Sequence, residues 1–245
     1  MQIKKIKWDY FEERKPDKPI KHLVVHCFAF PVDKILDIWK DFKVGSHYLI
    51  DERGKIFQFV DENKTAYHVG KSFWRGEESL NFSSIGIELY SQSFGQELYP
   101  TEQIEAFKEL ASDIIKRYDI KPENVIGHSD IAPTRKVDPG KAFPWKDLAQ
   151  NGIGFWPKEK NPDVFKDKTI KELLSIIGYD VSNEKAALFA FLRHFMPEKV
   201  AYEKDVIHME NTLPDRIKNC QPADDEIKTF LENMAFSYHQ LNTDK

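Results

Sequence analysis

The sequence predicts an α/β fold: a mixed central β-sheet flanked by helices, followed by a small C-terminal helical domain. Three observations predict it. His22–Phe28 is an apolar, β-branched run of strand length. Residues 84–90 alternate, with Ile85, Ile87 and Leu89 facing one way and Gly86, Glu88 and Tyr90 the other. After Thr101, the residues Ile104, Phe107, Leu110, Ala111, Ile114, Ile115 and Tyr118 recur at helical spacing. Strands that alternate with helices place those helices over the faces of one sheet.

The remaining elements follow in chain order. After Pro31, Asp33 is suited to cap a helix that gathers Ile35, Leu36, Trp39 and Phe42 on one face. His47–Ile50 and Ile56–Val60 flank Asp51-Glu-Arg-Gly54, a hairpin signal in which Gly54 supplies the turn conformation. Thr101 follows Pro100 and is the expected N-cap of the long helix. Asn124–Gly127 reads as a short strand that delivers His128 at its end, ahead of a loop with Pro133, Pro139 and Gly140. The character changes after residue 150. Residues 158–168 read as a linker, and 170–177, 186–195 and 225–236 as three helices, the first stopped by Gly178. The expected organisation is a sheet domain over 1–157 and a helical domain over 169–245. The second is near the lower size limit for an independent core, so it is expected to pack against the first.

Composition narrows the function classes. The chain has 245 residues, 41% hydrophobic and 31% charged, with a net charge of −4. There is no basic excess to attract nucleic acid, and no apolar run approaches the length of about 18 residues that a membrane span needs. The N-terminal sequence has lysines but no apolar stretch after them, so it does not read as a secretory signal. A cytoplasmic protein is expected on that basis, with the periplasm as the alternative, and a monomer. The two cysteines, Cys27 and Cys220, make no disulfide framework. Cys27 lies in an apolar run and reads as a buried small hydrophobe.

The chemistry rests on histidines and carboxylates. His26 sits inside an apolar strand, and an imidazole taken out of water needs a partner, for which a metal is one candidate. His128 ends a strand and is followed ten residues later by Asp138. Two histidines and one carboxylate meet the ligand count of a catalytic zinc site, which leaves the fourth position to water. Spacing alone leaves this open against ordinary structural histidines. Glu88 lies in mid-strand, costly unless paired, functional or facing water from a sheet edge.

Gly127-His-Ser-Asp-Ile-Ala-Pro-Thr-Arg-Lys-Val-Asp-Pro-Gly140, followed by Phe143-Pro-Trp145, resembles the signature of the type-2 N-acetylmuramoyl-L-alanine amidases. Val25-His26, Ser46-His-Tyr-Leu49, Ala66-Tyr-His-Val-Gly70 and Ser84-Ile-Gly-Ile-Glu88 resemble that family's other motifs and occur in its order. The resemblance covers residues 20–157. Residues 148–157 are similar to members with a C-terminal helical peptidoglycan-binding-like domain.

The resemblance implies a zinc ion (Zn2+) held by His26, His128 and Asp138, with Glu88 as general base and Lys136 supporting the oxyanion. It places His68 and His47 at substrate contacts. The implied reaction is hydrolysis of the amide between N-acetylmuramic acid and L-alanine, in peptidoglycan or in 1,6-anhydro-muropeptides. The competing reading is a non-catalytic peptidoglycan-recognition protein of the same fold. Lys71, Arg75 and Arg135 are the candidate basic contacts to an anionic substrate. One departure is that Cys27, Phe28, Ala29 and Phe30 follow His26, which is expected to reshape the groove wall. Ala190-Phe-Leu-Arg-His-Phe195 resembles a helix of peptidoglycan-binding domains, with Leu192 where glutamine is usual.

Overall fold

The computed structural model describes residues 1–30, 32–157, 162–203, 205 and 208–243. The strands are β1 (Ile3–Lys5), β2 (Phe11–Glu13), β3 (His22–Phe28), β4 (Tyr48–Ile50), β5 (Ile56–Gln58), β6 (Lys64–Ala66), β7 (Phe73–Trp74), β8 (Glu77–Glu78), β9 (Ser84–Tyr90) and β10 (Val125–Gly127). The helices are α1 (Val32–Phe42), α2 (Thr101–Tyr118), α3 (His128–Ile131), α4 (Trp145–Gln150), α5 (Ile170–Ile177), α6 (Glu184–Phe195), α7 (Met209–Lys218) and α8 (Asp225–Thr243).

Six strands form one mixed sheet in the order β1, β5, β4, β9, β3, β10. The β4–β5 pair is the antiparallel hairpin turned at Gly54, whose φ is 73°. The other neighbours run parallel. Along the central pair β3–β9 the period-2 alternation sorts chemistry from packing. Leu23, Val25 and Cys27 of β3 and Ile85, Ile87 and Leu89 of β9 meet Phe107, Leu110, Ala111 and Ile114 of α2 in one buried cluster. The opposite face carries Val24, His26 and Phe28 in register with Gly86, Glu88 and Tyr90.

That second face is covered in two parts. Trp8, Phe28, Ile35, Trp39, Leu49 and Phe59 form an aromatic cluster under α1. Val24, Val69, Ile126, Ile131 and Val137 join Leu173, Leu174, Ala187, Phe191, Leu231 and Met234 of the C-terminal helices in a single core. The helical region therefore packs on the sheet domain as expected. Residues 158–161 of the expected linker lie outside the described residues. Beyond them, 162–164 form a helical turn and Phe165 is buried against the C-terminal helices, so this stretch packs rather than hangs free.

Several local expectations need correction. Phe42 is 73% exposed and does not share the buried face of Ile35 and Trp39, because α1 ends there. Thr101 is the first helical residue of α2, and Pro100 stands at the N-cap with no side-chain cap. The helical region has a fourth helix, α7, which was not expected and which contains Pro214. Helix α6 is buried around its whole circumference from Ala186 to Phe195. Leu192 fills core there, and the Ala190–Phe195 run has no face left for a polymer.

Candidate active site

Three elements converge on the exposed end of the second face. β3 delivers His26. The end of β10 starts α3, whose first residue is His128. The loop after α3 returns Asp138 beneath them, held by Cys27 Sγ and the Tyr99 hydroxyl, both of which donate to the Pro139 carbonyl. His26 Nδ1 and His128 Nδ1 lie 3.0 Å apart. Asp138 Oδ2 is 3.1 Å from His128 Nδ1 and 3.3 Å from His26 Nδ1.

The far side of each ring shows which protons these atoms carry. His128 Nε2 is 3.2 Å from the Val69 carbonyl, which only accepts, so Nε2 holds the proton and Nδ1 is bare. His26 Nε2 faces His68 Nδ1 at 2.9 Å. His68 Nε2 faces Ser84 Oγ, whose own proton goes to the Leu80 carbonyl at 2.6 Å. The Ser84 hydroxyl therefore accepts from His68 Nε2, His68 Nδ1 accepts from His26 Nε2, and His26 Nδ1 is bare as well.

Two nitrogen lone pairs and a carboxylate oxygen thus point at one spot with no proton among them. That is unfavourable unless a cation completes it. Zinc bonds of about 2.0–2.1 Å place neighbouring tetrahedral ligands about 3.3–3.4 Å apart, close to the spacing seen here. Ionisation agrees. Burial and the neighbouring cationic form of His128 push His26 down, burial pushes His128 down, and both rings stay neutral. Burial would raise the Asp138 carboxyl, but a protonated His128 or His26 beside it holds it well below the usual carboxylate range, so the carboxyl gives up its proton before either ring does. Neutral imidazoles and an ionised carboxylate are the states that metal binding requires. Among the described residues, His26, His128 and Asp138 are the group able to hold a metal ion.

Glu88 sits beside His26, paired with it in register across β3 and β9. β9 lies between β4 and β3, so Glu88 is not an edge-strand residue facing water. Burial, reinforced by Asp138, raises its carboxyl to about 7, although His26 opposes the shift. Glu88 Oε2 is buried with no hydrogen-bond partner among the described residues. A carboxyl near neutral pKa with a free oxygen at a cavity wall is equipped to take and give a proton.

These groups line a cavity of about 480 Å³. Phe28, Ala29, Phe30, Ile35, Ile38 and Trp39 form its apolar end, so the residues after His26 do shape the groove wall. Lys136 and Arg135 stand at the polar end, joined by Glu210 and Asn211 from α7. Lys136 Nζ pairs with Glu210 Oε1 at 2.8 Å. Sequence reading missed Glu210 and Asn211 together with the helix that carries them.

The other expected contacts divide. Gly86 has no Cβ because one would meet His68 Nδ1 and Ser46 Oγ at 2.5 Å, so this glycine makes room for His68 rather than for Glu88. His68 borders the cavity, but both its ring nitrogens are engaged by His26 and Ser84. His47 is fully buried outside the cavity lining. Its Nδ1 accepts from the Gly86 N–H and its Nε2 donates to the Lys64 carbonyl, so substrate contact does not fit where it lies. Arg135 lines the cavity and donates to the Val69 and Lys71 carbonyls. Lys71 is exposed outside the lining. Arg75 packs against the Tyr238 ring and the Ile177 carbonyl, away from the site.

The N-acetylmuramoyl-L-alanine amidase family matches residues 16–141 of the chain. The chain belongs to that family. Escherichia coli (strain K12) N-acetylmuramoyl-L-alanine amidase AmiD is 41% identical, over 76% of this chain and 78% of AmiD. The structure of E. coli AmiD in complex with anhydro-N-acetylmuramic acid-L-Ala-D-γ-Glu-L-Lys superposes with a TM-score of 0.75 at 35% identity, covering 94% of both chains. AmpDh3 from Pseudomonas aeruginosa in complex with an anhydromuramic pentapeptide gives 0.72 at 30% identity, over 95% of this chain and 98% of its own. Both solved structures span the helical region as well as the sheet domain. No helix among the described residues is long and apolar enough to cross a membrane.

Proposed function

We propose that this amidase hydrolyses the amide between the lactyl group of N-acetylmuramic acid and the L-alanine of the stem peptide, using zinc held by His26, His128 and Asp138. The observation that carries the reading is the triangle of bare Nδ1, Nδ1 and carboxylate oxygen at 3.0–3.3 Å beside Glu88. Bound zinc supplies Lewis acidity and makes water nucleophilic near neutral pH. The side chains then divide the work. Glu88 takes the proton of the attacking water and passes it to the leaving amine. Lys136 faces the charge that develops on the carbonyl oxygen, and removing one such donor typically costs about 3 kcal/mol in the barrier. The complexes of AmiD and AmpDh3 favour a 1,6-anhydro-muropeptide as substrate.

The helical region supports this site. Asp130, two residues after His128, accepts from the Gly127 N–H at 2.7 Å, from His194 Nδ1 at 2.7 Å and from the Tyr179 hydroxyl at 2.8 Å. Tyr179 and His194 belong to the C-terminal region, so that region grips the turn on which His128 is mounted. Together with Glu210 at the cavity edge, this favours a role in building and walling the groove.

The test is digestion of a 1,6-anhydro-muropeptide and of intact sacculi, with and without chelator, read by mass spectrometry. Release of a free peptide with an L-alanine N-terminus, abolished by chelator and restored by zinc, is expected. His128→Ala is expected to lose both bound zinc and turnover. Full turnover of metal-free protein would overturn the reading.

A further inference from the structure

Two motifs, Ala66-Tyr-His-Val-Gly70 and Ser84-Ile-Gly-Ile-Glu88, contain residues that the proposed reaction does not use. These are His68, Val69, Ser84 and Gly86. Their contacts converge on one task. The ring of His68 accepts from His26 Nε2, and the carbonyl of the next residue, Val69, accepts from His128 Nε2. A two-residue segment therefore engages the outer nitrogen of both histidine ligands. Asn81 Oδ1 accepts from the backbone N–H groups of both His68 and Val69, each at 3.0 Å, and pins the segment in place.

We propose that His68 and Val69, pinned by Asn81, form an orienting segment that keeps the proton of both ligand histidines on Nε2, and that His68 is a positioning residue rather than a substrate contact. The reasoning is one of hydrogen-bond direction. A neutral imidazole carries one proton, and its placement decides which nitrogen offers a lone pair. The Val69 carbonyl can only accept, which settles His128. His68 could in principle donate or accept through Nδ1. Ser84 decides it by spending its own proton on the Leu80 carbonyl and leaving only an acceptor for His68 Nε2. The orientation of His26 is thus set three hydrogen bonds away, by a backbone carbonyl. Gly86 completes the device, because a methyl there would lie 2.5 Å from His68 Nδ1 and displace the ring.

The inference rests on the metal reading above. Groups that orient a ligand histidine typically contribute about 10- to 100-fold to metal affinity. The experiment measures zinc Kd of the full chain by competition with a chromophoric chelator. His68→Leu fills the space without an acceptor and is expected to raise Kd about 10- to 100-fold. His68→Asn restores an acceptor near the position of Nδ1 and is expected to recover most of that loss. Nitrogen-15 imidazole shifts of the metal-free protein are expected to show His26 as the Nε2–H tautomer in the wild type and in His68→Asn, and a tautomer mixture in His68→Leu. A residue that merely fills space would give the Asn and Leu variants equal losses and an unchanged tautomer. Either result, or wild-type affinity in His68→Leu, overturns the proposal. Should His68→Leu fail to fold, Ser84→Ala carries the test: a several-fold rise in Kd is expected, and an unchanged Kd overturns it. Failure of the metal reading itself looks different, since the wild-type chain would then take up no zinc or His128→Ala would keep it.

Discussion

The two faces of the β3–β9 pair are built from the same two strands, yet they obey different rules. Toward α2, Ile85, Ile87, Leu89, Leu23 and Val25 are fully buried in one apolar cluster. Toward the cavity, His22, His26, Ser84 and Glu88 are nearly as buried, and His22 Nδ1, His26 Nε2 and Ser84 Oγ have directed partners while Glu88 Oε2 is left for the cavity. Apolar packing tolerates any well-fitting set of side chains, because the hydrophobic effect has no direction. A buried polar face tolerates few, because each donor needs an acceptor in place. One residue of slippage between the strands would exchange the faces, so the apolar face fixes the register that puts Glu88 beside His26.

The largest effect expected comes from uncovering the polar face. Ending the chain after residue 157 removes Leu173, Leu174, Phe191 and Met234 from the core they share with Val24, Ile126 and Ile131. It also strips Asp130 of the Tyr179 and His194 donors. The truncated chain is expected to aggregate rather than yield a working sheet domain. A soluble product with a cooperative unfolding transition would show that the helical region only decorates the fold.

A single change on the polar face comes next. Glu88→Gln is expected to retain zinc and stability while turnover falls about 10²- to 10⁴-fold, the usual worth of a general base. Loss of zinc in step with turnover would make Glu88 a ligand instead. The matching change on the apolar face is Ile87→Ala. It is expected to cost about 2–5 kcal/mol in denaturant unfolding with turnover per folded molecule unchanged. If Ile87→Ala reduced turnover of the folded protein as Glu88→Gln does, the two faces would not be separable.

The smallest effect is on pH. Burial pushes His22 down to about 4, and burial together with Arg14 pushes His47 down to about 3. An unfolded histidine titrates near 6.5, so below that value the unfolded chain binds more protons than the folded one. Stability from these rings is therefore complete above about pH 6.5 and is lost as the pH falls toward 4 and then 3. Chemical unfolding of the metal-free protein from pH 7 to 4 is expected to show this decline, with a shallower slope in His22→Asn. An equal slope would assign the acid sensitivity to other groups.

How much of this was legible in the sequence depends on the range of the interaction involved. Period-2 alternation in 84–90 and the helical stripe of α2 report only which side faces the core, and that is a local property, so the sheet and its principal helix were readable. The ordered motifs named His26, Glu88, His128, Lys136 and Asp138, which the fold brings to one cavity. Helix α7 was not readable, because Pro214 interrupts its pattern and its stability comes from Met209, Leu213 and Ile217 docking into a core made elsewhere. Glu210 was hidden with it.

By itself the sequence determined the strands β3, β4, β5, β9 and β10, their apolar faces and the chemical types available to the site, but not the short strands β1, β2, β6, β7 and β8. The tertiary structure alone decided that His26 and His128, 102 residues apart, share one point. It also decided that His68 turns toward His26 and His47 toward the backbone, and that α7 of the helical region lines the cavity. The reason is physical. Burial is proportional to apolar area and can be read from composition along a segment, whereas a hydrogen bond needs a particular atom at a particular distance and angle, which no segment specifies alone.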